Sequence, residues 1–423
     1  MKKNTLTLMI SALFLGASNM AHADTLKMEC GSTGSAKTYC DYIKARFEKE
    51  TTDKLEFVQL PPASDEKLGL FQQIFAAKDS KVVDVFQSDT VWLGVLDKHL
   101  LDLTDKVKDL QPQFFPQAWN NDVVNGKVKA IPAFLDTGVM YYRKDLLAKY
   151  GEKPPETWEE LTRIAAKIQQ GEREAGHKNF WGYVFQGKAY EGLFCDALEW
   201  IYSYNGGTII DKDGKITVNN PQAAKALNMA AAWIDKITPK GALGYMEEES
   251  RAVFQNGDAA LMRNWPYAYV LAQDKTSPIK NNVGIIPVPK GGADGQHAST
   301  LGGWQWAVSA YTEHPEAAIK LVRILTDADS QKMQFKITGQ APSRLDVYDD
   351  PEVKALAPYL ADFKQVFTSA VPRPAVETKS QFPKVSKAAF NAAYDVLSGR
   401  ASGEQAVAEL ESKLKRIKGK AWK

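Results

Sequence analysis

Apolar and polar positions alternate in short runs separated by longer stretches with helical spacing. LKMEC (Leu26–Cys30) and LEFVQL (Leu55–Leu60) carry strand patterns on either side of an amphipathic helix over Lys37–Glu50. A helix near Glu66–Ala77 follows, then VVDVFQSD, an apolar strand ending in polar residues, then a helix in TVWLGVLDKHL. Strand–helix alternation of this kind predicts an α/β architecture with a parallel, doubly wound sheet covered on both faces. Ligands of such sheets sit beyond the carboxyl ends of the strands. Asp89 stands at such an end.

The same alternation continues down the chain. Lys127–Ala133, FWGYVFQG, AALMRNW and NNVGIIPVP read as strands. Thr157 followed by Glu160 is a capping box that opens a helix through TWEELTRIAAKIQQ. GLFCDALEWIY lies inside a helix that a glycine pair ends, and Pro315 opens HPEAAIKLVRILTD. Helices over 351–370, 380–399 and 402–420 close the chain. No internal repeat or low-complexity tract interrupts the pattern.

The first 23 residues stand apart. Lys2 and Lys3, the apolar run Leu6–Gly16 and the small-x-small site Ala21-His22-Ala23 form a secretory leader, expected to leave Asp24 first and to send the protein to the periplasm. The remaining 400 residues are too many for one ordinary core, so two domains are expected. Loss of Lys2 and Lys3 brings the 53 basic residues to 51, level with the 51 acidic ones. That balance gives no bias toward nucleic acid. Of three cysteines, Cys30 and Cys40 are placed to close the loop Gly31–Tyr39 in an oxidising compartment, which leaves Cys195 in an apolar helix. No metal-ligand spacing occurs, and neither metal nor cofactor is expected.

Several stretches together carry a family resemblance: VVDVFQSDTVWLG, FLDTGVMYYRKDLLAKYG, NFWGYVFQGKAYEGLFCD, LMRNWPYAY, STLGGWQWAVS, RLDVYDDPEV and AVPRP. In this order and spacing the chain resembles the periplasmic solute-binding proteins of ABC importers, in particular their trehalose/maltose-binding branch. The Cys30–Cys40 spacing is similar to that of relatives that take up α-linked disaccharides. The resemblance implies two α/β lobes with a three-segment hinge near Asp136, Gly303 and Gln340. The N-lobe would hold residues 24–135 and 304–340, and the C-lobe 136–303 and 341–423. It further implies a monomer that binds a disaccharide, trehalose, maltose or sucrose, and delivers it to membrane permease subunits.

The residues suit that task. The face of an indole attracts the C–H face of a pyranose, carboxylates accept hydroxyl hydrogen bonds, and a guanidinium donates in a fixed fork. Trp304 follows Gly302 and Gly303, whose missing side chains allow close approach; its alternative is a core position, which suits Trp306 better. Trp265 and Tyr267, with Pro266 between them, form a second aromatic platform, while Tyr269 fits core or site. Asp89 and Asp136 match family ligand positions, although Asp89 could also cap the following helix. Arg373, held between two prolines, matches a family sugar-binding arginine or else lies on the surface. Tyr190 and Glu191 face the ligand or merely start a helix. Lys67 falls where relatives carry a basic residue. There are two departures: GSTGSAKT lacks the carboxylate that many relatives carry after the first strand, and Phe134 stands where some have tyrosine. A secreted glycosidase could use the same carboxylates, given a separation of about 5–9.5 Å. The same fold could also take a longer oligosaccharide or another glycoside.

Overall fold

A first strand, β1 (Thr25–Glu29), buries Leu26, Met28 and Glu29. Helix α1 (Gly34–Glu50) turns Tyr39, Cys40, Ile43 and Phe47 inward at helical spacing. A disulfide joins Cys30, just past β1, to Cys40 in α1. The computed structural model of the protein describes residues 23–31, 34–360, 363, 366, 367 and 370–422. The expected leader lies outside them up to residue 22.

β2 (Lys54–Val58), α2 (Ser64–Ala76) and β3 (Val85–Asp89) continue the alternation, and β4 (Ala130–Thr137) follows after short helical turns. Beyond it come β5 (Val139–Arg143), α3 (Trp158–Glu174), β6 (Trp181–Val184), α4 (Glu191–Ser203), α5 (Pro221–Trp233), α6 (Glu247–Gln255), β7 (Ala259–Asn264), α7 (Tyr267–Ala272) and β8 (Val283–Pro287). β9 (Leu301–Val308) precedes α8 (Pro315–Leu325), α9 (Ala328–Thr338), α10 (Phe382–Leu397) and α11 (Gly403–Lys418). Local chemistry explains the starts and stops. Thr157 accepts a hydrogen bond from the Glu160 N–H at 3.2 Å, while the Glu160 carboxylate receives the Glu156 N–H rather than that of Thr157. The helix expected over 351–370 breaks after Leu356, two residues ahead of Pro358, which cannot donate to the helical ladder, and helix is described again at Leu360, Phe363, Val366 and Phe367.

The strands form two main sheets, in the orders β2-β1-β3-β9-β4 and β8-β5-β7-β6. β1 runs parallel to β2 and β3, but β9 enters antiparallel between β3 and β4. The first sheet is therefore mixed rather than parallel throughout. The second is also mixed, with β5 antiparallel to β7 and β8. The result is a two-lobed α/β protein.

Gly138 connects β4 to β5, residues 288–300 connect β8 to β9, and Ala341 pairs with Leu135 of β4 as the chain returns. Boundaries at 135/136 and 303/304 fall inside paired strands, since Gly302 lies opposite Asp136 and Trp304 opposite both Asp89 and Phe134. One core lies between the first sheet and α1 and α8, around Ile43, Phe47, Val85, Trp306 and Leu321. A larger one runs from Phe71, Phe86 and Trp92 of the first lobe to Trp158, Trp200 and Trp233 of the second. Each buried Phe or Leu in them stabilises by about 1.5–3 kcal/mol.

Candidate functional site

The ends of β3, β4 and β7 and the starts of α4 and β9 converge between the lobes. Asp89 is the last residue of β3 and is buried. Its Oδ1 accepts the Val91 N–H at 3.2 Å, so it does brace the following turn. The same carboxylate takes Arg373 Nη2 at 2.8 Å and Ser64 Oγ at 3.1 Å. Arg373 is buried too, so the surface alternative does not hold. It reaches the site because Val371 pairs with Thr300 and accepts the Leu301 N–H at 2.8 Å. Its Nη1 lies 2.8 Å from Oε1 of Glu191, the first residue of α4. The other Glu191 oxygen receives the Ser386 hydroxyl. Arg373 therefore joins a first-lobe carboxylate to a second-lobe one. Burial pushes the Glu191 carboxyl up, Arg373 opposes this, and the nearby Asp89 adds to it. The Nε of Arg373 has no hydrogen-bond partner.

The aromatic groups flank this cluster. Trp304 is half-buried against Trp92, edge to face at 5.2 Å. Lys67 Nζ lies 4.7 Å from the centre of the Trp304 ring and 2.5 Å from Glu29 Oε1. Trp306 is core, 2% exposed. From the second lobe, Trp265 comes to Gly302: a Cβ there would lie 2.9 Å from Trp265 Cζ3 and 3.2 Å from Asp136 Cβ. Gly303 has φ 110°, a conformation side chains rarely adopt, and its Cβ would sit 3.0 Å from the Phe134 carbonyl. The two glycines admit Trp265 and shape the strand entry.

The remaining expected residues sort as follows. Asp136 pairs with Gly302 in register and accepts the Thr137 N–H at 3.1 Å. Burial pushes its carboxyl well above the usual range, and the positive charge of Arg263 opposes that rise. Tyr267 donates its hydroxyl to Glu248. Tyr269 packs edge to face on Tyr359 at 4.8 Å, within a cluster at the second sheet. Tyr190 is buried at the cap position of α4, its ring against Gly192. Phe134 is 4% exposed and packs with the first-lobe core. It also lines, with Gly302, Leu135, Leu301 and Gln305, a largely apolar cavity of about 290 Å³.

Sequence reasoning missed three contributors. Glu29 ends β1 and supplies a carboxylate one residue before Cys30, binding Lys67 and the Gln87 N–H at 3.0 Å. The loop searched for that carboxylate began at Gly31, and Ser32 and Thr33 lie outside the described residues. A charged residue inside the apolar strand TLKMEC was the available signal. Arg263 and Glu247 were missed as well; Glu247 accepts Trp265 Nε1 at 3.3 Å. Among the described residues no cluster could hold a metal ion.

Residues 31–332 match the family described as bacterial extracellular solute-binding protein. The chain belongs to that family. A relative from Deinococcus radiodurans, described as a "Probable ABC transporter-binding protein", is 45% identical over 424 residues and all of both chains. The maltodextrin-binding protein of Bacillus subtilis is 26% identical over 381 residues, covering 86% of this chain and 84% of its own. Among solved structures, maltose-bound MalE3 of T. maritima is similar with a TM-score of 0.88 and 37% identity, over 93% of this chain and 100% of that one. The family and these relatives are described as binding proteins, not as enzymes. Asp89 is tied through both oxygens to Arg373.

Proposed function

We propose that this binding protein receives an α-linked disaccharide, of the maltose or trehalose type, for an ABC importer. The observation that carries the reading is the meeting of two lobes through sugar-type groups. Trp304 and Asp89 come from the first lobe, Trp265 and Glu191 from the second, and Arg373 reaches both carboxylates. Indoles cover pyranose faces, and the charged groups at their edges exchange hydrogen bonds with hydroxyls. The maltose carried by the T. maritima protein and the maltodextrin named for the B. subtilis relative support the sugar class.

Two lobe arrangements interconvert, and sugar favours the closed one because only there do both sets of contacts exist. The closed form then docks on the permease. The leader delivers the chain to the periplasm, where it acts as a monomer. Phe134 offers no hydroxyl, so the sugar rim it meets loses one polar partner.

Isothermal titration of the mature protein against trehalose, maltose, sucrose, glucose and maltotriose tests the reading. One-to-one binding to one disaccharide, much tighter than to glucose, is expected. Preference for maltotriose would move the substrate to longer oligosaccharides, and heat from none of the five would contradict the proposal.

A further inference from the structure

Behind Trp265 lies a charge cluster closed off from solvent. Arg263, on β7, is 0% exposed, as are Asp196 and Glu199 on α4. Its guanidinium carbon lies 4.2 Å from the centre of the Trp265 ring. Glu199 accepts from one edge of the guanidinium through both oxygens, at 2.9 Å from Nε and 2.6 Å from Nη2, Asp196 approaches Nε at 2.9 Å, and Gln186 accepts from Nη1 at 3.0 Å. A guanidinium held this firmly is a flat, fixed platform. One face of the indole rests on it, while the indole edge approaches Gly302.

The cluster also touches the passage between lobes. Glu199 Oε1, which binds Arg263, accepts the Thr300 N–H at 3.0 Å. Thr300 in turn receives the Gly138 N–H at 3.2 Å and the Thr137 hydroxyl at 3.2 Å, and pairs with Val371. At Gly138 there is no room for a side chain: a Cβ would lie 1.8 Å from Glu199 Oε1 and 2.4 Å from Arg263 Nη2. One buried arginine thus backs the aromatic platform, and its counter-carboxylate clasps the connecting segments.

We propose that Arg263 is a positioning residue for the sugar site: a buried cation that fixes Trp265 from behind and, through Glu199, ties it to the hinge at Thr300 and Gly138. The inference rests on the sugar-binding reading for its effect on affinity. Asp136 lies beside the same indole, since a side chain at Gly302 would meet both, and its titration reports the Arg263 charge. The charged groups around it are Arg263 on β7, Glu247 on α6 and Asp89 on β3, with the phenols of Tyr141 and Tyr359 nearby. Of these Arg263 is the cation that counters the burial of Asp136. Removing a cation beside an acid favours the neutral acid, so the Asp136 titration moves to higher pH without it.

The test compares full-length mature wild type, Arg263→Met and Arg263→Lys. Carboxyl carbon NMR follows Asp136, assigned with Asp136→Asn, and titration calorimetry with maltose and trehalose follows affinity across pH. In Arg263→Met the Asp136 midpoint is expected to rise, and sugar affinity to fall roughly tenfold, as for a desolvated cation–aromatic contact. Arg263→Lys keeps the charge but not the planar fork; the midpoint should return toward wild type while affinity stays reduced. A purely structural role would not give that split. If Arg263→Met does not fold, Arg263→Lys decides by affinity: reduced sugar binding supports the inference and wild-type binding overturns it. An unmoved Asp136 midpoint in folded Arg263→Met, or wild-type affinity in both variants, would overturn the inference. If wild type binds neither sugar, the sugar reading fails, and the Asp136 midpoint still decides the role of Arg263.

Discussion

Arg263 and Arg373 are both enclosed by protein and each meets two carboxylates, but those carboxylates come from different places. The partners of Arg263, Asp196 and Glu199, sit on one helix of the second lobe. The partners of Arg373, Asp89 and Glu191, sit on opposite lobes. The proposed opening of the lobes would leave the first cluster intact and pull the second apart. A buried ion pair contributes little net stability, yet losing one partner is costly wherever the other stays dry. The first arginine therefore belongs to the permanent framework. The second belongs to the moving contact, where water can replace it.

Replacing each arginine by methionine should separate the two roles. Arg263→Met leaves Asp196 and Glu199 buried without their cation and should cost about 3–5 kcal/mol, seen as a lowered urea midpoint. Arg373→Met should cost only about 1–3 kcal/mol, because Asp89 and Glu191 regain water as the lobes part. Its larger effect falls on sugar affinity, reduced about a hundredfold by calorimetry. Equal stability losses would erase the distinction.

A smaller effect tests the contact between lobes. Gly302→Ala puts a Cβ 2.9 Å from Trp265 Cζ3. The clash should cost about 1–3 kcal/mol, shift the Trp265 fluorescence and weaken sugar binding. Unchanged emission and affinity would show that Trp265 does not rest on Gly302.

The smallest effect concerns a buried carboxyl with no cation at all. Asp122 is 0% exposed, neither oxygen has a hydrogen-bond partner, and burial pushes its carboxyl well above the usual range. A raised folded-state pKa means that the folded chain holds the proton more tightly. The stability this supplies is complete below about pH 4 and is lost as pH rises through the folded value. Asp122→Asn should flatten that slope: the variant gains on wild type toward neutral pH, and the two curves run parallel in acid. Parallel curves throughout would mean that Asp122 is charged in the fold.

Much of this was legible in the chain. Short strand-like runs marked β1, β3 and β7, Thr157 marked the start of α3, and the polar end of VVDVFQSD marked Asp89. Alternation puts Trp304 and Trp306 of GGWQW on one face, and the place of Trp304 at the strand's start, not alternation, set it apart as the candidate site indole; Trp306 is core as expected. What was hidden depends on pairing between distant segments. The antiparallel entry of β9 between β3 and β4 follows from no local pattern. Arg263 lies 64 residues from Glu199, and each looks locally like a solvated charge. Glu29 was passed over because its carboxylate belongs to the strand and not to the loop after it.

The most direct test of the moving contact is the radius of gyration of the sugar-free protein by small-angle X-ray scattering, measured for wild type and for Arg373→Met. If Arg373 ties Asp89 to Glu191 across the lobes, the variant is the more extended, and Arg263→Met, where folded, matches wild type. Identical radii for wild type and Arg373→Met would contradict the account.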